Sequence, residues 1–143
     1  KARTFNQGFA TVEYLSAALV DMKLHMDPEG KVDPVAFEKE TLKELGMPEQ
    51  IVLRHRLPQF LHLFTSDAYS AGYYSYIWAE VLDTDGYEAF KENGIFDRAT
   101  AQSFRENILE RGGSADPSAL FRVFRGRHPR PESLLERQGL LAS

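Results

Sequence analysis

Residues 69–90 read YSAGYYSYIWAEVLDTDGYEAF, and this stretch decides the fold class of the chain. From Trp78 onward its apolar residues recur at three- and four-residue spacing, the spacing that places side chains on one face of an α-helix. The pattern predicts a long helix that begins near Ser70 and runs toward Phe90. Gly94 is expected to end it, because glycine readily adopts the left-handed conformation that closes many helices.

Four of the chain's six tyrosines lie at the start of this stretch. On a helix, Tyr69, Tyr73 and Tyr76 occupy positions i, i+4 and i+7 and project from one face. Between them Gly72 lets a backbone or a ligand approach closely. A row of phenol donors suits a site that holds a peptide carbonyl or stabilises an oxyanion. The same spacing is also typical of an aromatic stripe packed in a core, so both interpretations stay open.

Upstream of this stretch the sequence predicts two more helices. Residues 5–26 carry apolar side chains at helical spacing, which predicts an amphipathic helix with a core-facing stripe. The stripe comprises Phe5, Phe9, Val12, Leu15, Leu19 and Met22. Asp33 as cap and Pro34 as first residue predict a shorter helix that Gly46 ends. Residues 47–67, which two prolines interrupt, fit short helices and extended segments equally well.

Downstream, capping residues predict the starts of three further helices. These residues are Asp97, Asp116 followed by Pro117, and Pro131, and a glycine follows each predicted helix. No segment shows the alternation of a half-buried strand, and no repeat or linker interrupts the chain. The fold class is therefore predicted to be all-α, a multi-helix array that forms a single domain over residues 1–143.

Composition narrows the function classes. The chain has 143 residues and no cysteine, which excludes disulfides and thiolate metal sites. A net charge of -4 argues against nucleic acid as the main partner, and most of the arginines near the C-terminus are expected on solvated helix faces or in local salt bridges. No apolar run approaches the ~18 residues that cross a membrane, so we expect a cytoplasmic protein without a membrane partner. Because Lys1 is not an initiator methionine, we expect the chain to be part of a longer protein.

The histidines offer no self-contained metal site. They are His25, His55, His62 and His128, and no pair has the His-Glu-x-x-His spacing that presents two imidazoles to zinc. His62 is the most informative, because the small polar residues after it suit a loop over a cleft. One histidine and several phenols could surround a polarised carbonyl. The sequence offers no credible nucleophile, so it predicts only part of a site.

Six segments, taken in order, resemble the C-terminal part of the thimet-oligopeptidase family of zinc metallopeptidases. They are residues 5–15 (FNQGFATVEYL), 62–64 (HLF), 69–78 (YSAGYYSYIW), 94–96 (GIF), 108–114 (ILERGGS) and 124–127 (FRGR). The similarity covers essentially the whole chain. It is greatest to the bacterial dipeptidyl carboxypeptidase branch, with the oligopeptidase A branch next.

The resemblance implies that the chain is the C-terminal helical part of a zincin catalytic domain. Such a domain is almost all helical and has a deep channel for short unstructured peptides. Its zinc is bound by a His-Glu-x-x-His helix and by a glutamate from a following helix. All of these ligands would precede Lys1, so zinc is expected in the full-length parent and no metal ligand is expected in this chain.

The resemblance also assigns roles to individual residues. Tyr76 matches the catalytic tyrosine that donates to the oxyanion of the tetrahedral intermediate, and His62 matches a histidine over the scissile bond. The residues expected to bind substrate are Tyr69, Tyr73 and Gly72. Tyr74, about 100° around a helix from Tyr73, is predicted to pack inside.

The leading hypothesis is that the chain forms the substrate-binding and oxyanion-stabilising wall of a peptidyl-dipeptidase. Such an enzyme removes C-terminal dipeptides from oligopeptides. One alternative is an oligopeptidase A-like endopeptidase, and another is a helical interaction module without activity. We expect the chain alone to be inactive, to pack against the N-terminal part of its parent and, without that part, to self-associate.

Overall fold

A computed structural model describes residues 4–141, and all regular structure among them is helical. Its α-helices are α1 Gln7–His25, α2 Pro34–Glu44, α3 Ser75–Asn93, α4 Arg98–Phe104, α5 Pro117–Arg125 and α6 Glu132–Gln138. Short 3₁₀ helices, Leu57–Gln59, Leu61–Phe64 and Asp67–Tyr69, lie between α2 and α3, and a π-helical turn, Arg105–Leu109, follows α4. Across this described part of the chain, every helix is too short or too polar to span a lipid bilayer. The predicted all-α class is confirmed.

Three aspartates cap helices as the sequence predicts. Asp33, Asp97 and Asp116 each accept a hydrogen bond from a backbone N–H three residues ahead, at 2.7–2.8 Å. These bonds satisfy donors that the first helical turn leaves unpaired. The Thr100 N–H, which donates to Asp97, lowers the pKa of that carboxyl. The predicted starts of α2, α4 and α5 are therefore confirmed, and each rests on a local interaction.

The helices pack as two compact units, one ending at Tyr76 and the other beginning at Ile77. The core of the first unit comes from α1, α2 and the segment that follows α2. Its buried members are Ala17, Val20, Leu42, Leu53, Leu57, Phe60 and Leu63. Glu38 on α2 is buried, accepts the Leu57 N–H at 2.7 Å and pairs with Arg56, which fixes the 3₁₀ segment to the helix. That residues 1–143 form a single domain stays a prediction.

The second unit packs around aromatic rings and one buried carboxylate. The rings of Phe90, Phe104 and Phe124 lie 5.3–6.4 Å apart between centroids and bring α3, α4 and α5 together. Asp85 on α3 accepts two hydrogen bonds from the Arg127 guanidinium, at 2.5 and 2.7 Å. Burial raises the pKa of Asp85, but the bonds from Arg127 and nearby backbone and arginine charges outweigh it, so the net pKa is lowered.

Two of the C-terminal arginines form ion pairs with residues that are distant in sequence. The Arg125 side chain is only 6% exposed, and it donates two 2.8 Å bonds to Glu92 while its Nε lies 3.3 Å from Asp85. Arg127 pairs with the same aspartate across more than forty residues of sequence. These arginines therefore join α5 and the segment after it to α3.

The predicted start of α3 was also wrong. The helix begins at Ser75 rather than near Ser70, because Ala71 adopts a left-handed backbone conformation with φ of 55°. An alanine in this conformation interrupts a right-handed helix. Residues 69–74 form a turn before α3, and the tyrosines of this stretch do not share one helix face.

The predicted apolar stripe of α1 does not face the core. Phe5, Phe9, Val12, Leu15 and Leu19 are exposed. The buried residues of α1 lie on a different side of the helix and are mostly small, namely Ser16, Ala17, Ala18, Val20 and Asp21. Helical spacing identified the helix correctly but not the face that packs within this chain. We call the four exposed apolar residues that lie on the helix, Phe9, Val12, Leu15 and Leu19, the outer face of α1.

Candidate active site

The structure brings four of the predicted site residues together around one imidazole. The His62 ring lies 4.9 Å from the Tyr69 ring, 6.1 Å from the Tyr73 ring and 6.0 Å from the Tyr76 ring, measured between centroids. The Tyr76 hydroxyl and His62 Nε2 are 3.1 Å apart, within hydrogen-bond distance. We call these four residues the His–Tyr cluster.

A turn, rather than a helix face, assembles the His–Tyr cluster. Tyr69 ends a 3₁₀ helix, and its carbonyl accepts the Gly72 N–H at 3.0 Å. A Cβ on Gly72 would lie 3.1 Å from that carbonyl oxygen, so the glycine leaves room for the chain's own backbone. The Ser75 N–H then donates to the Gly72 carbonyl at the start of α3. The turn reverses the chain so that tyrosines on both sides of Gly72 meet His62.

The tyrosines differ in exposure. Tyr69 and Tyr76 are 42% and 51% exposed, so both residues lie at the surface. Tyr73 is half-buried, stacks on Tyr14 at 5.0 Å and packs edge-on against Phe60 at 5.0 Å. Burial, followed by the neighbouring Tyr76 phenol, raises the pKa of Tyr73. The core interpretation therefore fits Tyr73, and the site interpretation fits Tyr69 and Tyr76.

The prediction for Tyr74 was wrong. Its side chain is 48% exposed rather than packed inside. The prediction assumed a continuous helix through this stretch, and the turn at Ala71 removes that assumption. Tyr74 is thus a phenol close in sequence to the His–Tyr cluster but outside it.

Sequence reasoning missed the residue that holds the turn. The Asp21 side chain, on α1, is 0% exposed, and its two oxygens accept the Ala71 N–H at 3.2 Å and the Tyr73 N–H at 2.9 Å. The Tyr14 hydroxyl adds a 2.7 Å bond to the Tyr73 carbonyl. One sequence feature could have pointed to Asp21. It is an acidic residue one helical turn from Ala17 and from the half-buried Leu24, on the buried side of α1.

The described residues supply hydrogen-bond donors but no cluster of metal ligands. In residues 4–141 no group of three or more histidine, aspartate and glutamate side chains is arranged to hold a metal ion, so these residues do not fit a zinc site. An exposed imidazole beside two exposed phenols can donate hydrogen bonds to a carbonyl or an oxyanion. The arrangement is suited to orient and polarise a substrate rather than to attack it.

Comparison with known proteins gives a consistent result over nearly the whole chain. The profile of peptidase family M3 matches residues 1–140. Oligopeptidase A of Escherichia coli is 40% identical over 97% of this chain, and dipeptidyl carboxypeptidase of Salmonella typhimurium is 39% identical over 98% of it. A protein of Arabidopsis thaliana named probable cytosolic oligopeptidase A is 41% identical over 99% of it. In each case the chain covers 21% of the relative, about a fifth of its length.

Proposed function

The chain belongs to peptidase family M3, as its sequence indicated, and we propose that it forms the substrate-binding and oxyanion-stabilising wall of a zinc peptidase that acts on short, unstructured peptides. The observation that carries this proposal is the contact between the Tyr76 hydroxyl and His62 Nε2, flanked by the exposed Tyr69 phenol. These three side chains are exposed, and both phenol rings lie beside the imidazole ring. Such donors stabilise the negative charge that develops on a peptide carbonyl during hydrolysis.

Each residue of the His–Tyr cluster has a role in this proposal. Tyr76 donates its phenolic hydrogen to the developing oxyanion, and His62 lies over the scissile bond and polarises Tyr76. Tyr69 contacts the substrate. Tyr73 supports Tyr76 by packing against its ring, with the two ring centroids 5.5 Å apart. Gly72 permits the turn that brings both tyrosines to His62. Zinc would activate the attacking water, and we place its ligands in the part of the parent protein that precedes this chain.

We propose peptidyl-dipeptidase activity first and oligopeptidase A-like endopeptidase activity second. Relatives of both names match the chain at 39–40% identity, so identity does not rank them. A peptidyl-dipeptidase must recognise the free C-terminal carboxylate of its substrate. Hydrolysis of a peptide acid, but not of the same peptide with an amidated C-terminus, supports the first activity, and equal hydrolysis of both supports the second.

We also propose where the parent protein acts and what this chain contacts. The outer face of α1 packs against the N-terminal part of the parent, because contiguous exposed apolar side chains are typical of an interface. The parent is placed in the cytoplasm, without a nucleic-acid or membrane partner. A chain that functions only as a helical interaction module remains the alternative, and expression of the chain without a zinc-binding partner segment would favour it.

The decisive experiment replaces the proposed donor. In the full-length protein that contains this chain, Tyr76→Phe removes only a hydroxyl group, so kcat for a short peptide should fall by about 10²–10³-fold with little change in KM. Tyr74→Phe is the matched control, because it removes an exposed phenol outside the cluster. If kcat is unaltered in Tyr76→Phe, Tyr76 is not the donor and the proposal fails.

The chain on its own provides a second test. Because its described residues offer no metal-binding group, the purified 143-residue chain should neither retain stoichiometric zinc nor hydrolyse a short peptide. Metal analysis and a fluorogenic peptide assay measure both quantities. One equivalent of bound zinc together with peptide hydrolysis would contradict the proposal that the zinc ligands lie outside this chain.

A further inference from the structure

Asp21 is a buried carboxylate that the proposed function does not use. Its side chain is 0% exposed, although a charged group is costly to bury unless hydrogen bonds compensate it. Here both oxygens are engaged by backbone donors, Oδ1 by Ala71 at 3.2 Å and Oδ2 by Tyr73 at 2.9 Å. Fifty residues of sequence separate Asp21 from Ala71, which lies in the turn that these bonds hold. Asp21 therefore connects the rigid helix directly to the backbone between Tyr69 and Tyr73.

The turn needs such a connection. Ala71 has φ of 55°, a conformation that its Cβ disfavours and that only glycine adopts without cost. A hydrogen bond to an ionised acceptor is stronger than one to a neutral acceptor. Asp21 accepts hydrogen bonds from the N–H groups of Ala71 and Tyr73. These bonds therefore offset the backbone strain at the residue where it arises.

A histidine supports the aspartate. His25 follows Asp21 by one turn of α1, and its Nδ1 lies 2.8 Å from Asp21 Oδ1 and 3.3 Å from the Ala71 nitrogen. Its ring also lies 6.0 Å from that of Phe64, at the end of the 3₁₀ helix that carries His62. His25 thus contacts the carboxylate, the turn and the segment of the catalytic histidine.

We infer that Asp21 is a positioning residue for catalysis: through the N–H groups of Ala71 and Tyr73 it fixes the turn that holds the Tyr69 and Tyr76 phenols against His62. The inference rests on the proposed function of those phenols. Displacement of a catalytic donor by about 1 Å can cost about 10²-fold in rate, so a residue that touches no substrate can still control kcat.

The test is Asp21→Asn in the full-length protein. The amide keeps the shape of the side chain but presents an NH₂ group to one of the two backbone donors, so at least one bond is lost. We expect kcat for a short peptide to fall at least about 10-fold with KM changed less than about twofold. Hydrogen–deuterium exchange in the peptide covering residues 69–76 should become at least about 10-fold faster, because its amides open more often.

Asp27→Asn is the matched control. Asp27 lies just after α1 and, like Asp21, accepts a hydrogen bond from a backbone N–H, that of Glu29 at 3.0 Å, but this bond is exposed and lies outside the cluster. Its replacement should leave both kcat and exchange in residues 69–76 unchanged. An equal effect of the two substitutions would contradict a specific role for Asp21.

A rescue experiment separates positioning from general stability. Because glycine adopts the left-handed conformation freely, Ala71→Gly should restore part of the lost kcat and part of the exchange protection in the Asp21→Asn background. A residue that only stabilises the fold would show no such recovery from a change at position 71. Absence of recovery in both measurements therefore contradicts the inference.

A second variant covers the case in which Asp21→Asn does not fold. His25→Gln leaves the carboxylate in place and removes its imidazole contact, so a smaller decrease in kcat and a smaller increase in exchange are expected. Unchanged kcat and unchanged exchange would overturn the inference. If the wild-type protein cleaves no peptide, the proposed function fails, and the exchange measurement still decides whether Asp21 holds the turn.

Discussion

At the scale of single residues, the contact between His62 and Tyr76 determines which hydrogen is available to a substrate. When Nε2 carries the proton, His62 donates to the Tyr76 oxygen and the phenolic hydrogen can point toward an oxyanion. When Nδ1 carries the proton instead, Tyr76 donates its phenolic hydrogen to His62 Nε2. That hydrogen is then not available to an oxyanion. The proposed function requires the first tautomer, in which the donated bond also polarises the phenol.

This arrangement predicts that His62 acts through Tyr76. In the full-length protein, His62→Ala should lower kcat by about 10-fold, while Tyr76→Phe should lower it by about 10²–10³-fold. The double variant should be no slower than Tyr76→Phe alone, because the same donor is lost. Steady-state kinetics with one short peptide measure all three values. Multiplicative effects of the two substitutions would show that His62 acts independently.

At the scale of elements, the sequence predicted what local chemistry determines. The starts of α2, α4 and α5 depend on Asp33, Asp97 and Asp116, whose side chains bond backbone groups within three residues. Such motifs are visible in sequence because all their atoms come from one short segment. The same holds for the all-α class, which follows from apolar spacing along each helix.

Elements fixed by distant contacts could not be predicted in this way. The left-handed Ala71 ends the predicted extension of α3, and its partner, Asp21, lies fifty residues away. Family resemblance assigned the candidate site residues but did not predict that a turn brings them together. Asp85 likewise meets Arg127 only once α3 and α5 have packed.

The buried carboxylate on α3 yields a stability prediction. Asp85→Asn in this chain should lower the free energy of unfolding by about 3 kcal/mol, because it leaves the largely buried Arg125 and Arg127 guanidiniums without their shared partner. Asp83→Asn is the control, since that carboxylate is 76% exposed and its pair with Arg137 should contribute less than about 1 kcal/mol. Urea denaturation measures both values. Similar losses in the two variants would contradict the prediction.

The contribution of Asp85 should depend on pH in a defined direction. Its pKa in the folded chain lies below the unfolded value of 3.8, so folding favours the ionised form. The stability difference between wild type and Asp85→Asn should be complete above about pH 5 and should shrink as the pH falls through 3.8. A difference that stays constant down to acid unfolding would argue against ionisation of this group.

At the scale of the whole molecule, the outer face of α1 is an exposed apolar surface. Phe9, Val12 and Leu19 occupy positions that helical spacing assigns to a core, yet they are exposed. Together with the coverage of about a fifth of each relative, this exposed face supports the proposed packing against the parent's N-terminal part.

The exposed stripe predicts self-association of the isolated chain. Sedimentation velocity at increasing concentration should show species larger than a monomer, because contact between two copies removes apolar surface from water. Val12→Lys with Leu19→Lys should shift the distribution toward monomer, whereas a lysine in place of the exposed polar Glu40 should not. A strictly monomeric wild-type chain at high concentration would contradict this prediction.

Helix α1 has the exposed Val12 and Leu19 on one side and Asp21 on the other, so it lies between the proposed interface and the tyrosine turn. A helix transmits displacement along its whole rigid backbone, and its two sides are about 10 Å apart. An imperfect fit at the outer face would therefore appear at Tyr76 as an error in position, without any change in the residues of the site. If the proposed packing and the proposed role of Tyr76 both hold, a change at the outer face would alter catalysis without touching a residue of the His–Tyr cluster.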